Sequence, residues 1–398
     1  MHSHRPLFHG LALALALLVA GPAAAQVAVT TLAAPDYFSL GDRDSGLSAD
    51  LWTGTSPALA RDLIPLVGKK PLSPAAAALA RRVIGAGVAG PEGAGRDPDV
   101  AATRVQALSA LGQSRTAWAA VERAPGVTTN VNLAQAAAEA ALVVGQDDAA
   151  CRISDQLSVG RGELYWLRLR AYCQARAGQA DSAELTMTLA NEKARDPVYS
   201  RLMGALVAGA GDPGAASLRN GLEYSLSRRL ALDLDAARAG ASPAVAGALW
   251  SVVSAAQSEE AMVARSVIVS AQSTPTLLDT LLNEADVATP KARPLLIGRV
   301  LLLEAMGAQV TIDARARLAR ADAGKTTAAP GLLLALDRAA NLGLKGETAL
   351  IVLAIASDAG AAGPAALDRA RIVAALRRAG LADDAQAFAI EGLLVPTK

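Results

Sequence analysis

The chain has 398 residues, 52% of them hydrophobic and only 3% aromatic, with 38 Lys and Arg against 37 Asp and Glu. Balanced charge gives no electrostatic drive toward nucleic acid or an anionic membrane, and so few aromatic rings make poor platforms for sugars or bases. All three histidines, His2, His4 and His9, lie within the first nine residues.

Residues Met1–Ala25 have the form of a secretory signal peptide: a start carrying Arg5, an apolar run from Leu11 to Ala20, a break at Gly21-Pro22, then Ala23-Ala24-Ala25. Cleavage is expected between Ala25 and Gln26, which leaves a mature chain without histidine. That removes the commonest general base, the usual partner of a Ser or Cys nucleophile and the commonest metal ligand. No catalytic, cofactor or metal site is therefore expected. No cysteine follows the apolar run to carry a lipid anchor. Later apolar stretches such as Gly204–Gly211 and Ala349–Ala356 fall short of the ~18 residues of a membrane span. The expected location is the periplasm, or outside the cell.

Residues 26–55 read as an extended arm or linker, rich in turn-forming residues around Pro35 and Gly41-Asp42-Arg43-Asp44-Ser45-Gly46. From Ser56 to about residue 395 the pattern is helix, short break, helix. A capping residue followed by Pro recurs at Ser56-Pro57, Ser73-Pro74, Asp97-Pro98, Asp196-Pro197, Asp212-Pro213, Ser242-Pro243, Thr274-Pro275 and Thr289-Pro290. Glycines 112, 145, 178, 240, 307, 343 and 380 follow apolar periodic runs and mark stops. With no run of alternating β-branched residues, the expected fold is all-α: an α-solenoid, a right-handed superhelix of stacked antiparallel hairpins. Glycine- and proline-rich stretches at 85–98 and 321–330 are candidate subdomain breaks.

Cys151 and Cys173 are the only cysteines. They flank a break at Gly160-Arg161-Gly162, on segments that read as two helices, Asp147–Ser158 and Glu163–Ala177. At ~1.5 Å per residue an antiparallel hairpin brings them within roughly a turn of each other. In an oxidising compartment a disulfide is expected, contributing ~3 kcal/mol by loop entropy. Two buried thiols are the alternative, and a redox site would lack C-x-x-C spacing.

The clearest local motif runs from Trp166 through Ala171 to Gly178, then Ala183, Met187 and Ala190. This resembles the tetratricopeptide (TPR) repeat, in which small and large residues at these spacings set the packing of two antiparallel helices. A second echo is Ala375–Gly380 with Ala385, Phe388 and Ala389. The resemblance implies a helical surface that binds partners, not a named activity. Tyr165, Trp166 and Tyr172 are the only aromatic concentration. They are candidates for contact with a peptide or glycan, against core packing of the hairpin.

Other chemistry is sparse. Ala323-Gly324-Lys325-Thr326 resembles the end of a phosphate-binding loop, but Ala319 stands where a glycine is needed. Asp42, Asp44 and Asp50 resemble a calcium-loop fragment without its closing Glu. The acidic pairs Asp147-Asp148, Glu259-Glu260 and Asp383-Asp384 fall in first turns of expected helices, where they favour the helix dipole. Glu304, after Val300-Leu301-Leu302-Leu303, is a candidate catalytic acid with buried surroundings, against a buried ion pair with Arg299 or an exposed position. The resulting reading is an exported, non-catalytic scaffold for other envelope proteins or cell-wall components, with no nucleic acid and no integral membrane span. The alternative is an envelope enzyme or enzyme subunit acting on peptidoglycan or polysaccharide through a carboxylate acid.

Overall fold

Helix starts follow the capping chemistry in the sequence. In the computed structural model, which describes residues 36–42, 44–250 and 258–395, Ser56, Asp97, Asp196 and Ser242 each accept a backbone N–H of the helix they open. Those helices are α1 (Pro57–Leu63), α3 (Pro98–Ala110), α9 (Pro197–Ala208) and α11 (Pro243–Leu249). Ser73 precedes α2 (Pro74–Gly85) without making the bond. Of the other expected starts, one opens no helix and two shift. Asp212-Pro213 opens no helix, because Gly209, Gly211 and Gly214 hold the chain at positive φ there. Thr274-Pro275 and Thr289-Pro290 lead by a few residues into α13 (Leu277–Val287) and α14 (Arg293–Ala305).

The remaining helices are α4 (Ser114–Val121), α5 (Val131–Val143), α6 (Asp147–Gln156), α7 (Leu164–Arg176), α8 (Ala180–Lys193) and α10 (Gly221–Arg229) in the first half. The second half holds α12 (Glu259–Ser273), α15 (Ile312–Leu318), α16 (Pro330–Asn341), α17 (Lys345–Ala359), α18 (Ala366–Arg378) and α19 (Ala382–Leu393). The protein is all-helical. Among the described residues there is no strand, only an isolated bridge between Asp42 and Ala86. No helix there is long and apolar enough to cross a membrane. The expected signal peptide and its Ala25–Gln26 junction lie outside the described residues.

Sequence-adjacent helices pack as hairpins, most closely α7 on α8 and α18 on α19. Both carry the motif echoes. Gly178, at φ +75, ends α7 in the left-handed region that favours glycine, and Ala171, Ala183 and Ala190 are fully buried. Between α5 and α10 each helix also meets its successor, and α10 returns to pack on α5. These helices enclose one apolar core, around Trp166, Leu169, Tyr172, Tyr199 and Leu226.

A larger core joins the two ends of the chain. α17 is buried on nearly every side, and α1 and α2 pack against it, while α19 packs on α2. Tyr37, Phe38, Leu51 and Trp52 belong to this core, which corrects the expectation of an extended arm over 26–55 for its described part; residues 26–35 and 43 lie outside the described residues. Phe38, Leu51 and Trp52 are buried, the Phe38 and Trp52 rings meeting edge-on at 5.5 Å. Leu51 O accepts the Gly346 N–H at 2.8 Å. A Cβ on Gly346 would sit 2.5 Å from the Trp52 ring, so the first turn of α17 reaches Trp52 only because that residue is glycine. Glu347 caps Ser56 N–H at 2.9 Å, and Lys345 pairs with Asp50 at 3.0 Å.

The loop expected as a break at 85–98 is also packed in. Asp36 accepts the Gly90 N–H, and Gly95 O accepts the Tyr37 N–H. Arg104, on α3, is fully buried and donates to Ile84 O (2.7 Å), Tyr37 O (2.9 Å) and Ala86 O (2.9 Å). Its guanidinium lies 4.7 Å from the Phe38 ring centre, and burial, only partly offset by Asp36, pulls its pKa down to about 10. The second expected break, at 321–330, is tied to α18 by Asp368, which accepts Thr327 N–H, Thr327 Oγ1–H and Ala328 N–H. Neither stretch divides the chain: the described residues fall in one compact unit.

Candidate functional site

Cys151 on α6 and Cys173 on α7 are joined in a disulfide, with Cα atoms 5.6 Å apart. The bridge fixes the turn of chain on which the sequence concentrates its aromatic residues. Of the two readings open for them, partner contact and core packing of the hairpin, their placement favours core packing. Trp166 and Tyr172 are buried, at 0% and 1% exposure, and Tyr165 is half-buried with its hydroxyl out of solvent. In a chain so poor in aromatics, the large rings fill space that alanines leave open between helices.

Tyr172 has a specific partner. Its hydroxyl donates to Asp147 Oδ1 at 2.6 Å, and the other oxygen of Asp147 takes the Arg228 guanidinium. Burial pushes the Asp147 carboxyl up, but the Tyr172 hydroxyl and Arg228 together outweigh it and hold the group below the usual carboxylate range. Burial and the bond to Asp147 push the Tyr172 hydroxyl well up. The acidic pair 147–148 is thus divided: Asp147 is buried, while Asp148 pairs with Arg176 at 2.8 Å on the surface. Replacing Tyr172 by Phe leaves Asp147 one bond short, so Tyr172→Phe is expected to lose about 2 kcal/mol at neutral pH. Because the folded pKa is depressed, this contribution exists above the ordinary carboxylate pKa and fades as pH falls through the folded value. Urea unfolding over a series of falling pH checks it; a loss that stays constant down to the most acid pH at which the fold survives would contradict the assignment.

A second buried network was not apparent from sequence motifs. Glu139, on α5, accepts the Gly221 N–H at 2.7 Å, at the start of α10. Tyr165 lies beside it, yet neither Glu139 Oε1 nor the Tyr165 hydroxyl has a hydrogen-bond partner of normal geometry. Burial raises the Glu139 carboxyl, the Gly221 N–H works against this, and the negative charge of Glu223 adds to the rise. Glu223 in turn binds Arg219 (2.6 Å) and Ser217 (2.5 Å), and Arg219 reaches Asp196 at 2.8 Å. The sequence signal is faint: Gln135 and Glu139, four apart, are the only polar residues between Leu133 and Val144.

The other candidates separate. Gly324, Lys325 and Thr326 lie on an exposed loop turned by Asp322, whose carboxylate accepts the Gly324 N–H. Asp42 accepts the Asp44 N–H in a local turn, and Asp50 faces Lys345, so the three acids have different partners. Among the described residues no three His, Cys, Asp or Glu side chains are grouped to hold a metal. Glu259 and Glu260 are exposed in the first turn of α12. Glu304 is exposed, not buried, and Arg299 turns instead to Val395 O at 3.0 Å. Asp384 is the buried member of its pair, bound to Arg82 of α2 at 3.0 Å; burial raises its carboxyl above the ordinary range.

Two surface features remain. The outer face of α8 is open to solvent and carries Leu185 (65% exposed) and Leu189 (45%), one turn apart. A cavity of about 220 Å³ lies between α14, the start of α18 and the end of α19. No protein-family model, no curated protein and no solved structure matches this chain.

Proposed function

We propose that this protein is an exported, non-catalytic, TPR-like helical scaffold, its hairpins stacked in a right-handed sense, that docks other envelope proteins or cell-wall components. The hairpins α5–α6, α7–α8 and α9–α10 supply the stacking unit, each helix meeting its successor. The Cys151–Cys173 disulfide fits an oxidising compartment, where such bridges persist. The buried carboxylates favour a structural reading: Glu139 caps α10, Asp147 holds α7 to α10, Asp368 ties down a loop and Asp384 pairs with α2.

The observation that carries the reading is the outer face of α8. α10 packs back on α5 and α9 with residues 221–227 buried, whereas α8, among the described residues, packs chiefly on α7 and α9 and leaves Leu185 and Leu189 exposed. Apolar side chains one turn apart on an open helix face are the usual anchor for a partner helix or strand. A photoreactive residue placed at 185 or 189 in living cells is expected to give discrete adducts, lost when the other leucine is changed to Asp. A probe at exposed Arg320 serves as control. Equal labelling from all three positions, or no adduct from α8, would contradict the proposal.

A further inference from the structure

The two sulfurs of the bridge between α6 and α7 have different neighbours. Cys151 is half-buried, and Arg176 Nη1 donates toward its Sγ at 3.7 Å. Cys173 stands in the last turn of α7, where the free carbonyls form the negative end of the helix dipole. It also packs on the apolar core around Trp166 and Tyr172. A guanidinium beside a sulfur favours the thiolate, whereas a helix C-terminus and an apolar wall oppose it.

Arg176 is held in place by bonds other than the bridge. Its Nη2 donates to Asp148 Oδ1 at 2.8 Å, which leaves Nη1 to the sulfur, and its guanidinium lies 6.0 Å from the Tyr172 ring centre. One turn before Cys151, Asp147 takes the Tyr172 hydroxyl at 2.6 Å and the Arg228 guanidinium of α10. Asp147 and Asp148 are therefore both paired, and Arg176 is the charge directed at the sulfur. The same ties join α6 to α7 independently of the S–S bond. They keep the two cysteines facing each other, their Cα atoms 5.6 Å apart.

We propose that Cys151 is the modification site through which the pair is oxidised: it takes a mixed disulfide from a disulfide-bearing donor, and Cys173 resolves it. In the first step the Cys151 thiolate attacks one sulfur of the donor. A bond forms between Cys151 Sγ and that sulfur, the donor S–S bond breaks, and its other sulfur leaves as a thiolate with the electron pair. In the second step Cys173 gives its proton to solvent and attacks Cys151 Sγ. The bridge forms, and the remaining donor sulfur leaves as a thiolate. Both departing thiolates take up protons, so two cysteine thiols are oxidised while one donor disulfide becomes two thiols. An opposite charge this close raises the thiolate fraction about tenfold. The accompanying loss of nucleophilicity takes back about threefold of that, so Arg176 speeds capture at Cys151 about threefold.

The test uses the full chain, reduced with dithiothreitol, freed of it and mixed with oxidised glutathione at neutral pH. Samples are quenched with acid at short times and the adduct is located by peptide mass mapping. Glutathione is expected first on Cys151, in at least threefold excess over Cys173, and then to be lost as the bridge closes. Arg176→Gln is expected to slow capture at Cys151 about threefold and leave Cys173 unchanged, while Arg176→Lys, which keeps the charge, recovers most of the rate. In Cys173→Ala the adduct on Cys151 persists. Equal labelling of both cysteines, or labelling of Cys173 first, overturns the proposal, and that arm needs no variant to fold. An unchanged rate at Cys151 in Arg176→Gln overturns the role of Arg176. Loss of the adduct from Cys173→Ala as fast as from the unaltered chain overturns the resolving role.

Discussion

Arg104→Met is expected to destabilise the protein by about 4 kcal/mol. Methionine keeps most of the volume, so the loss is electrostatic rather than a cavity effect. Three backbone carbonyls, of Tyr37, Ile84 and Ala86, converge on one guanidinium inside the core. Each acceptor left unpaired in a dry site costs about 1–3 kcal/mol, and the contact with the Phe38 ring is lost as well. Arg104→Lys keeps the charge but not the fork of donors, so it is expected to recover less than half of the loss. Urea unfolding measures both. A loss below about 1 kcal/mol for Arg104→Met would mean that the carbonyls find water, and that residues 36–42 are not locked to α3.

Trp52→Ala is expected to cost a similar amount, about 4 kcal/mol, in the range for truncating a buried Trp. Trp52 is 2% exposed and stands where Phe38, Leu51 and the first turn of α17 meet. Its indole Nε1 has no hydrogen-bond partner. Trp52→Phe therefore removes an unpaired donor along with part of the ring, and is expected to cost only about 1 kcal/mol. The contrast separates packing from polarity. If Trp52→Ala unfolds at the same urea concentration as the unaltered protein, residues 36–55 are the loose arm that their turn-rich sequence suggests.

How far the fold was legible follows from the kind of signal. Helix starts with a Ser or Asp cap before Pro were readable because the chemistry is local: the side-chain oxygen and the missing proline N–H act within one turn. The disulfide was readable because a single hairpin brings Cys151 and Cys173 together. The arm was misread because glycine and aspartate dominate residues 41–50, while Phe38, Leu51 and Trp52 announce burial only once α17 is in place. No periodicity reveals that α2 meets α17 and α19, since those contacts join opposite ends of the chain. Glu139 and Arg104 were missed for a related reason. Each is a lone charge on an otherwise apolar helix face, and only the neighbouring helices show that backbone groups satisfy it. Trp166 and Tyr172 were read two ways; their burial decides for the core.

Beside the open face of α8, the non-catalytic part of the proposal is supported by buried carboxylates that each bond another element through one oxygen, Glu139 to the Gly221 N–H and Asp384 to Arg82. Its most direct test is release of soluble fragments from purified peptidoglycan and envelope polysaccharides by the protein, alongside Glu139→Gln and Asp384→Asn. These two acids have their carboxyls raised by burial, the property a general acid needs. The scaffold reading expects no release above background from any of the three proteins. Release by the unaltered protein that disappears in a folded Glu139→Gln or Asp384→Asn variant would contradict it.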